Sequence, residues 1–580
     1  MNLKRVFPFL GWLPLRLETL RADLTAGITV ALVAIPQSLA YAQLAGLPAY
    51  YGLYAALIPT VVGALFGSSG ALSTGPVAMT SLLTAASIAP LAAPASDLFI
   101  VYAILLALVS GLFQILFGLL RMGVLLNFLS HPVLMGFINA AAIIISLAQI
   151  PTLLGISASQ SKHLLTDTWH VIVHIDRVHE LSLIFGVIAI AALVVFRKRA
   201  PRFPGVLISV AVLTLLSYLV GYESMGGRVV GQVPQGIPVV GMPPLDWHAA
   251  LVIAPAGFLI AIISFMEAMS SCRIIAIRTR TPWDENQELI GQGLAKVASA
   301  LSHSFPVSGS FSRSALNLAA GARTGMSSII AAAIVLLTLL VFTPLLHHLP
   351  KPVLAAIIIV AVVNLVDFRS IRNAWLASRD DGIAAAATFV TTLLFAPNIQ
   401  IGILAGIIIS LSLLMYRLMR PRVVALGLLA DGSLKDPDEL RRAGLHPAIG
   451  VLQFDGRLLF VNVAYFEQAL LRLARENSQL KYIVVVCYGI NGIDASGVER
   501  LSDLVERLKT SGIQVLLGGV KQQVLIVMER TGLAETIGKE NFFDTRREAL
   551  EAARERLYAQ AAESRQASGN PATDDTSSRA

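Results

Sequence analysis

Charge is what this chain has least of. Asp, Glu, Lys and Arg make up 14% of its 580 residues, against about 25% in a typical soluble domain. Hydrophobic residues make up 55% and mean hydropathy is +0.72, which excludes a wholly soluble globular protein. Cysteine is nearly absent. Cys272 and Cys487 are the only two, and they fall in stretches of different character, so no structural disulfide is expected. An ATP-binding loop and a metal-dependent catalytic motif are also missing, so no enzyme activity, cofactor or metal is expected. No signal peptide is expected either: Lys4, Arg5, Arg16, Glu18, Arg21 and Asp23 break up the start, and no short apolar run ends in a small-residue cleavage site. The net charge of +8, with pI about 9.5, fits cytoplasmic loops of a membrane protein better than a nucleic-acid partner.

The charge deficit is uneven. To Arg422 the chain is a series of apolar runs, and from about Asp431 it turns charged. We expect a transmembrane domain over 1–422, a linker over 423–447, an α/β domain over 448–560 and a disordered tail over 561–580. A span needs ~20 apolar residues, fewer for a half-helix. Candidate spans cover 22–44, 49–67, 76–91, 97–120, 123–150, 180–197, 204–220, 250–276, 285–302, 312–322, 324–345, 351–366, 380–396 and 399–418. With the N-terminus inside, alternation puts Arg16, Arg21, Arg121, Arg197, Lys198, Arg199, Arg273, Arg278, Arg280, Arg323, Arg369, Arg372 and Arg417, among others, on the cytoplasmic side. Only Lys162, Arg177, Arg228 and Lys351 fall outside, a strong positive-inside bias. The even count also returns the C-terminal domain to the cytoplasm, in a multi-pass protein of the inner (plasma) membrane.

Two polar interruptions stand out. One is Ser73-Thr74-Gly75-Pro76-Val77-Ala78, and the other is Val307-Ser308-Gly309-Ser310-Phe311-Ser312-Arg313-Ser314. Each reads as an extended segment leading into a half-helix, in the third and tenth spans. Such paired breaks point to a mid-membrane site between two seven-span inverted repeats. Helix N-termini carry unsatisfied N–H groups and about +0.5 charge each, so two at one point suit an anion.

The remainder alternates strands and helices: strands at Ile449–Phe454, Leu458–Val461, Tyr482–Cys487 and Ile513–Leu517, and helices at Ala464–Arg475, Ser496–Thr510, Gln523–Arg530 and Arg546–Tyr558. Gly518-Gly519 reads as a strand end rather than a phosphate loop.

These residues resemble the sulfate permease (SulP) family of anion transporters over nearly the whole chain. The resemblance rests on Asp23-Leu24-Thr25-Ala26-Gly27, Ile35-Pro36-Gln37-Ser38-Leu39-Ala40-Tyr41-Ala42, Leu44-Ala45-Gly46-Leu47-Pro48, Gly52-Leu53-Tyr54, Gly67-Ser68-Ser69 and both interruptions. Asn317 and Gly321-Ala322-Arg323-Thr324 complete the series, while Gly492-Ile493-Asp494-Ala495-Ser496-Gly497 is similar to the STAS domain. The resemblance implies a fourteen-span fold of core and gate domains with a cytosolic STAS domain, usually a homodimer, moving its core like an elevator. It implies an anion site at the start of the tenth span, formed by Ser310, Phe311, Ser312 and Arg313. Gly75 and Val77 of the third span and Tyr41 of the first line the same pocket.

A sulfate dianion needs roughly +2 of compensation, and two half-helix tips with Arg313 supply about that. The hydroxyls of Ser73, Ser308, Ser310 and Ser312 also fit plain helix capping. Glu267 lies in the eighth span, where an ionised acid costs ~2.5–3.5 kcal/mol. Taking up a proton lowers that cost, so Glu267 is the candidate proton-coupling carboxylate, and permanent pairing with Arg313 is the bland alternative. Relatives coupled to sodium carry Asp at this position with nearby threonines, whereas Ser270 and Ser271 follow here. Asp284, Glu285 and Glu288 read as an N-cap with an acidic first turn, and His163, His170, His174 and His179 as a solvated outer loop. Asp494 and Ser496 occupy the position phosphorylated in anti-sigma antagonists, or simply start a helix.

The expected function is proton-coupled transport of an inorganic oxyanion, with sulfate preferred. Bicarbonate or C4-dicarboxylate uptake coupled to sodium or protons, and anion exchange, are the nearest alternatives. A membrane-anchored STAS signalling module, with an unknown cytosolic partner, is the rival of another class, but fourteen spans exceed what an anchor needs. A nucleobase carrier would want a neutral site.

Overall fold

The computed structural model describes residues 7–14, 16–123, 130–156, 173, 175–199, 204–243, 246–363, 365–396, 398–425, 427–428, 434–435 and 446–567. The chain divides into two units, Met1–Ser410 and Leu411–Ala580.

The first unit is helical, as lipid demands: a helix satisfies its own backbone hydrogen bonds. Eight helices among the described residues are long and apolar enough to cross a membrane. They are Leu17–Leu44, Asp97–Leu119, His131–Leu154, Glu180–Arg199, Trp247–Thr279, Met326–His347, the Lys351–Ala377 stretch, which holds the helices Lys351–Val363 and Phe368–Ala377, and Ile399–Met419. Tyr51–Phe66, Ala78–Ile88 and Gly205–Val220 are shorter apolar helices, and Glu285–Leu301, Phe311–Ala319 and Arg379–Leu394 fall between them. Polar caps set several starts. Asp246 accepts from the His248 and Ala249 N–H groups at 2.9 and 3.3 Å, and Ser96 from Phe99 N–H at 3.2 Å.

The chain departs from the expected spans at three places. The span 49–67 breaks into Tyr51–Ala55 and Ile58–Phe66, because Pro59 cannot donate to the Ala55 carbonyl and crowds it. The span 123–150 starts at His131 and runs to Leu154. Phe368–Ala377, capped by Asp367 at Arg369 N–H (3.0 Å), is an additional amphipathic helix.

The helices pack in two sets. Trp247–Thr279, Glu285–Leu301 and Asp97–Leu119 form one with the half-helices Ala78–Ile88 and Phe311–Ala319 and with Ile58–Phe66 and Met326–Leu337. His131–Leu154, Glu180–Arg199, Gly205–Val220, Lys351–Val363, Phe368–Ala377 and Arg379–Leu394 form the other, and Leu17–Leu44 touches both. One close crossing in the first set joins Gly111 to Gly293. A Cβ on either would sit 2.8 Å from the other's carbonyl oxygen, so only glycine permits this approach. Leu215, Leu219, Leu251 and Ile277 are exposed, as befits side chains solvated by lipid.

The second unit holds a five-stranded sheet in the order Arg422–Ala425, Ile449–Asp455, Tyr482–Val486, Gln514–Gly518, Phe542–Phe543. The first pair is antiparallel and the rest are parallel. Alternation along the central strand decides the two faces. Ile483 and Val485 pack with Phe466, Leu470, Leu501 and Leu504 of the Val463–Glu476 and Ala495–Thr510 helices. Tyr482, Val484 and Val486 pack with Ala549, Leu550, Ala553 and Leu557 of Arg546–Ala567. Three expectations change. Leu458–Val461 is not a strand: only Leu458 bridges, to Ile493, because Asn462 folds the segment back by accepting from Leu459 N–H at 2.9 Å. The first strand begins at the end of the expected membrane domain and runs into the expected linker. The last helix runs past Ala561 to Ala567, and the rest of the expected tail lies outside the described residues.

Burial pushes the Cys487 thiol up to about 12, at 2% exposure. Cys487 should therefore resist a maleimide at pH 8 until denaturant opens the second unit. Rapid labelling of the native Cys487, read by peptide mass spectrometry, would contradict this.

Candidate functional site

The two polar interruptions meet. Strand β1, Thr74–Gly75, pairs antiparallel with β2, Ser308–Gly309, with Thr74 opposite Gly309 and Gly75 opposite Ser308. Ser310 N–H extends the pairing to the Ser73 carbonyl at 2.8 Å. Each strand runs into a short helix, Ala78–Ile88 or Phe311–Ala319. Arg313, in the first turn of the second helix, donates from Nη1 to the Pro76 carbonyl (2.8 Å), just before the first helix. One side chain therefore spans both helix entries.

Side chains from several elements hold this crossing. Ser73 N–H donates to Ser314 Oγ at 2.9 Å, and Asn317 Nδ2 to the Ala71 carbonyl at 3.0 Å. Thr60 Oγ1 donates to the Thr74 carbonyl at 2.9 Å, Gln292 Nε2 to Thr74 Oγ1 at 2.8 Å, and Ser308 Oγ to the Ser264 carbonyl at 2.8 Å. Ser310 caps its own helix, accepting from Arg313 N–H at 3.4 Å. The other helix begins after Val77, which offers no side-chain cap.

Of the residues expected at the site, Tyr41, Gly75, Val77, Ser310 and Arg313 are buried, and Phe311 and Ser312 are exposed. Tyr41 and Glu267 both lie within electrostatic range of Arg313. Arg313 is 2% exposed, yet its Nη2 has no hydrogen-bond partner in the protein. A Cβ on Gly75 would lie 3.0 Å from that nitrogen, so glycine leaves it room. Glu267 Oε2 is likewise enclosed without a partner. Ser270 Oγ donates to the Met266 carbonyl at 2.9 Å and Ser271 Oγ to the Glu267 carbonyl at 3.3 Å, so both hydroxyls are engaged with their own helix.

One buried charge was not picked out from the sequence. Lys296 is fully buried on Glu285–Leu301, donates to Gln114 Oε1 at 2.5 Å, and lies within electrostatic range of Glu267. A lysine inside an expected span was the available signal. Glu288, expected in an acidic first turn, is in that turn and fully buried. It accepts from the Ser68 and Ser69 N–H groups at 2.8 and 3.0 Å and from Gln292 Nε2 at 3.0 Å. Asp284 does cap its helix, accepting from Asn286 and Gln287 N–H.

In the second unit, Asp494 Oδ1 accepts from Gly497 N–H and Oδ2 from Phe460 N–H, both at 2.8 Å. It caps Ala495–Thr510, and Ser496 sits half-buried in the first turn. His163, His170 and His174 lie outside the described side chains. His179 shares hydrogen bonds with Ser182 Oγ (2.8 Å) and the Met225 carbonyl (3.0 Å).

Residues 20–388 match the sulfate permease family and residues 442–549 the STAS domain. The chain is 34% identical over 542 residues to the Probable sulfate transporter 4.2 of Arabidopsis thaliana, covering 90% of this chain and 79% of that protein. It is 32% identical to the Probable sulfate transporter MT1781 of Mycobacterium tuberculosis (strain CDC 1551 / Oshkosh), covering 93% and 96%. Among solved structures it superimposes on SLC26A9 with a TM-score of 0.87 at 21% identity, over 98% of this chain and 94% of that one. The transmembrane domain of the cyanobacterium bicarbonate transporter BicA follows at a TM-score of 0.58 and 23% identity, over 68% and 98%. The chain belongs to the sulfate permease family, and is a multi-pass membrane transporter rather than an enzyme.

Ser314→Ala removes the acceptor of the buried Ser73 N–H. It should lower stability by about 1–3 kcal/mol, read as an earlier thermal unfolding midpoint in detergent. A midpoint equal to wild type would mean that the β1–β2 crossing does not depend on this bond.

Proposed function

We propose that this member of the family is a secondary active transporter that moves an inorganic oxyanion, with sulfate as the preferred cargo, by proton symport. The observation that carries the reading is Arg313: a buried guanidinium that spans both half-helix entries while Nη2 stays unpartnered beside Gly75. Two helix N-termini contribute about +0.5 each and Arg313 +1, close to what a dianion requires. In this reading backbone N–H groups at the two helix entries, at Phe311 and Val77, hold the anion with the exposed hydroxyl of Ser312, and Tyr41, Gly75 and Ser310 line the pocket. Glu267, with one oxygen unpartnered in range of Arg313, carries the coupling proton.

The two helix sets support an elevator in which the set bearing the half-helices moves against the other. The fourteen spans in two inverted repeats, the homodimer, the inner-membrane location with both termini cytoplasmic, and the division into membrane domain, linker and STAS domain belong to the same proposal. Relatives named as sulfate transporters support sulfate over bicarbonate. The cross-braced β1–β2 site speaks against a mere anchor for the second unit, where Asp494 and Ser496 remain regulatory candidates.

The test is radiolabelled sulfate uptake into proteoliposomes. An inward proton gradient should stimulate uptake, a sodium gradient should not, and unlabelled selenate should compete better than bicarbonate, chloride or succinate. Glu267→Gln should abolish the response to the proton gradient. Gradient-driven uptake that survives this substitution would remove the proton role, and stronger competition by bicarbonate or succinate would remove sulfate as the preferred cargo.

A further inference from the structure

Away from the half-helices, one cluster brings metal-ligand chemistry together from distant parts of the chain. Glu223 follows the Gly205–Val220 helix, and His347 and His348 end the Met326–His347 helix. His347 Nε2 lies 3.3 Å and His348 Nδ1 3.9 Å from Glu223 Oε2, and all three donor atoms lie within 4.8 Å of one another. Zinc holds nitrogen and carboxylate ligands at about 2.0–2.2 Å, which puts tetrahedral donors roughly 3.3 Å apart. Side-chain shifts of about an ångström would therefore close this set on a metal. The donors are reachable, with the His347, His348 and Glu223 side chains 31%, 35% and 52% exposed.

The backbone presets the cluster. Val230 N–H donates to the Leu349 carbonyl at 2.9 Å, Gly231 N–H to His347 at 3.2 Å and Lys351 N–H to Arg228 at 2.9 Å, around a bridge between Val229 and Pro350. The Tyr218 ring packs 4.9 Å from the His348 ring. A single carboxylate makes a poor site for a hard cation such as Ca²⁺ or Mg²⁺, which wants several oxygens. Two imidazoles and a carboxylate suit a borderline ion such as Zn²⁺, with a position left for water.

We propose that Glu223, His347 and His348 form a Zn²⁺ site. Its ligands come from the two helix sets: Glu223 from the set without the half-helices, and the histidines from the set that contains them. A bound ion would tie the sets together, so under the transport reading above Zn²⁺ slows the carrier.

Zn²⁺ titration of the chelator-stripped full-length protein in detergent, by calorimetry and thermal unfolding, tests the site without reference to transport. Wild type should bind one Zn²⁺ more per chain than His347→Ala/His348→Ala and melt later with Zn²⁺ but not with Mg²⁺ or Ca²⁺. Glu223→Gln should weaken that site by at least about tenfold. Equal Zn²⁺ binding by wild type and both variants, or an equal response to Ca²⁺, would overturn the proposal. Metal-free sulfate uptake by the variants should equal wild type. Zn²⁺ should inhibit uptake by wild type alone, and binding without inhibition would overturn the tie between the helix sets.

Discussion

Each of the two half-helices can end inside the membrane only because the other one does. A chain break in lipid leaves N–H and C=O groups bare, at several kcal/mol for each unsatisfied group. β1 and β2 answer one another's backbone, and Thr60, Gln292, Ser314 and Asn317 take up groups the short ladder leaves over. The Arg313 bond to the Pro76 carbonyl completes the brace. Substituting either break by continuous helix would therefore orphan the polar groups of its partner.

The buried charges of the first unit divide into two kinds on hydrogen bonding alone. Asp23 accepts from the Arg323 and Thr324 N–H groups at 2.7 and 3.1 Å and from Thr324 Oγ1 at 2.5 Å. Glu288 is similarly filled by Ser68, Ser69 and Gln292. Both acids fasten a loop more than 200 residues away in the chain, and their oxygens are spoken for. Glu267 Oε2 and Arg313 Nη2 have no such partners. Groups held this way keep the capacity to bind something else, and they sit in range of one another.

Much of this was legible in the sequence because lipid enforces simple rules. Ser-Thr-Gly-Pro and Ser-Gly-Ser interruptions in apolar runs mark half-helices, and Asp284 marks a cap. Strands of two residues, such as β1 and β2, leave no periodicity to read, so their pairing was invisible although their positions were not. The burial of Glu288 could not be read, because an acid in a first helical turn looks the same whether it faces water or a distant loop of the chain. The break before Ile58 needed one proline to outweigh a long apolar run. The helix through Ala567 was cut short because Ala, Glu, Arg and Gln, all good helix formers, also dominate disordered tails.

Lys296 changes the charge count on which a coupled mechanism rests. Two helix tips and Arg313 supply about +2, and an ionised Glu267 taken alone would reduce that to about +1, too little for a dianion. Counting Lys296 as an ammonium, the neighbourhood carries about +2 with Glu267 ionised and about +3 with it protonated. The field then suits a dianion in both states. Protonation would strengthen an anion site that already exists rather than create one. Under the proposed symport, the proton on Glu267 would have to act chiefly on which arrangement of the two helix sets is stable when the anion is bound. Coupling of that kind is a difference in affinity between two conformations, and Glu267, within reach of cations on both Glu285–Leu301 and Phe311–Ala319, is placed where a small rearrangement of either helix would alter its energy.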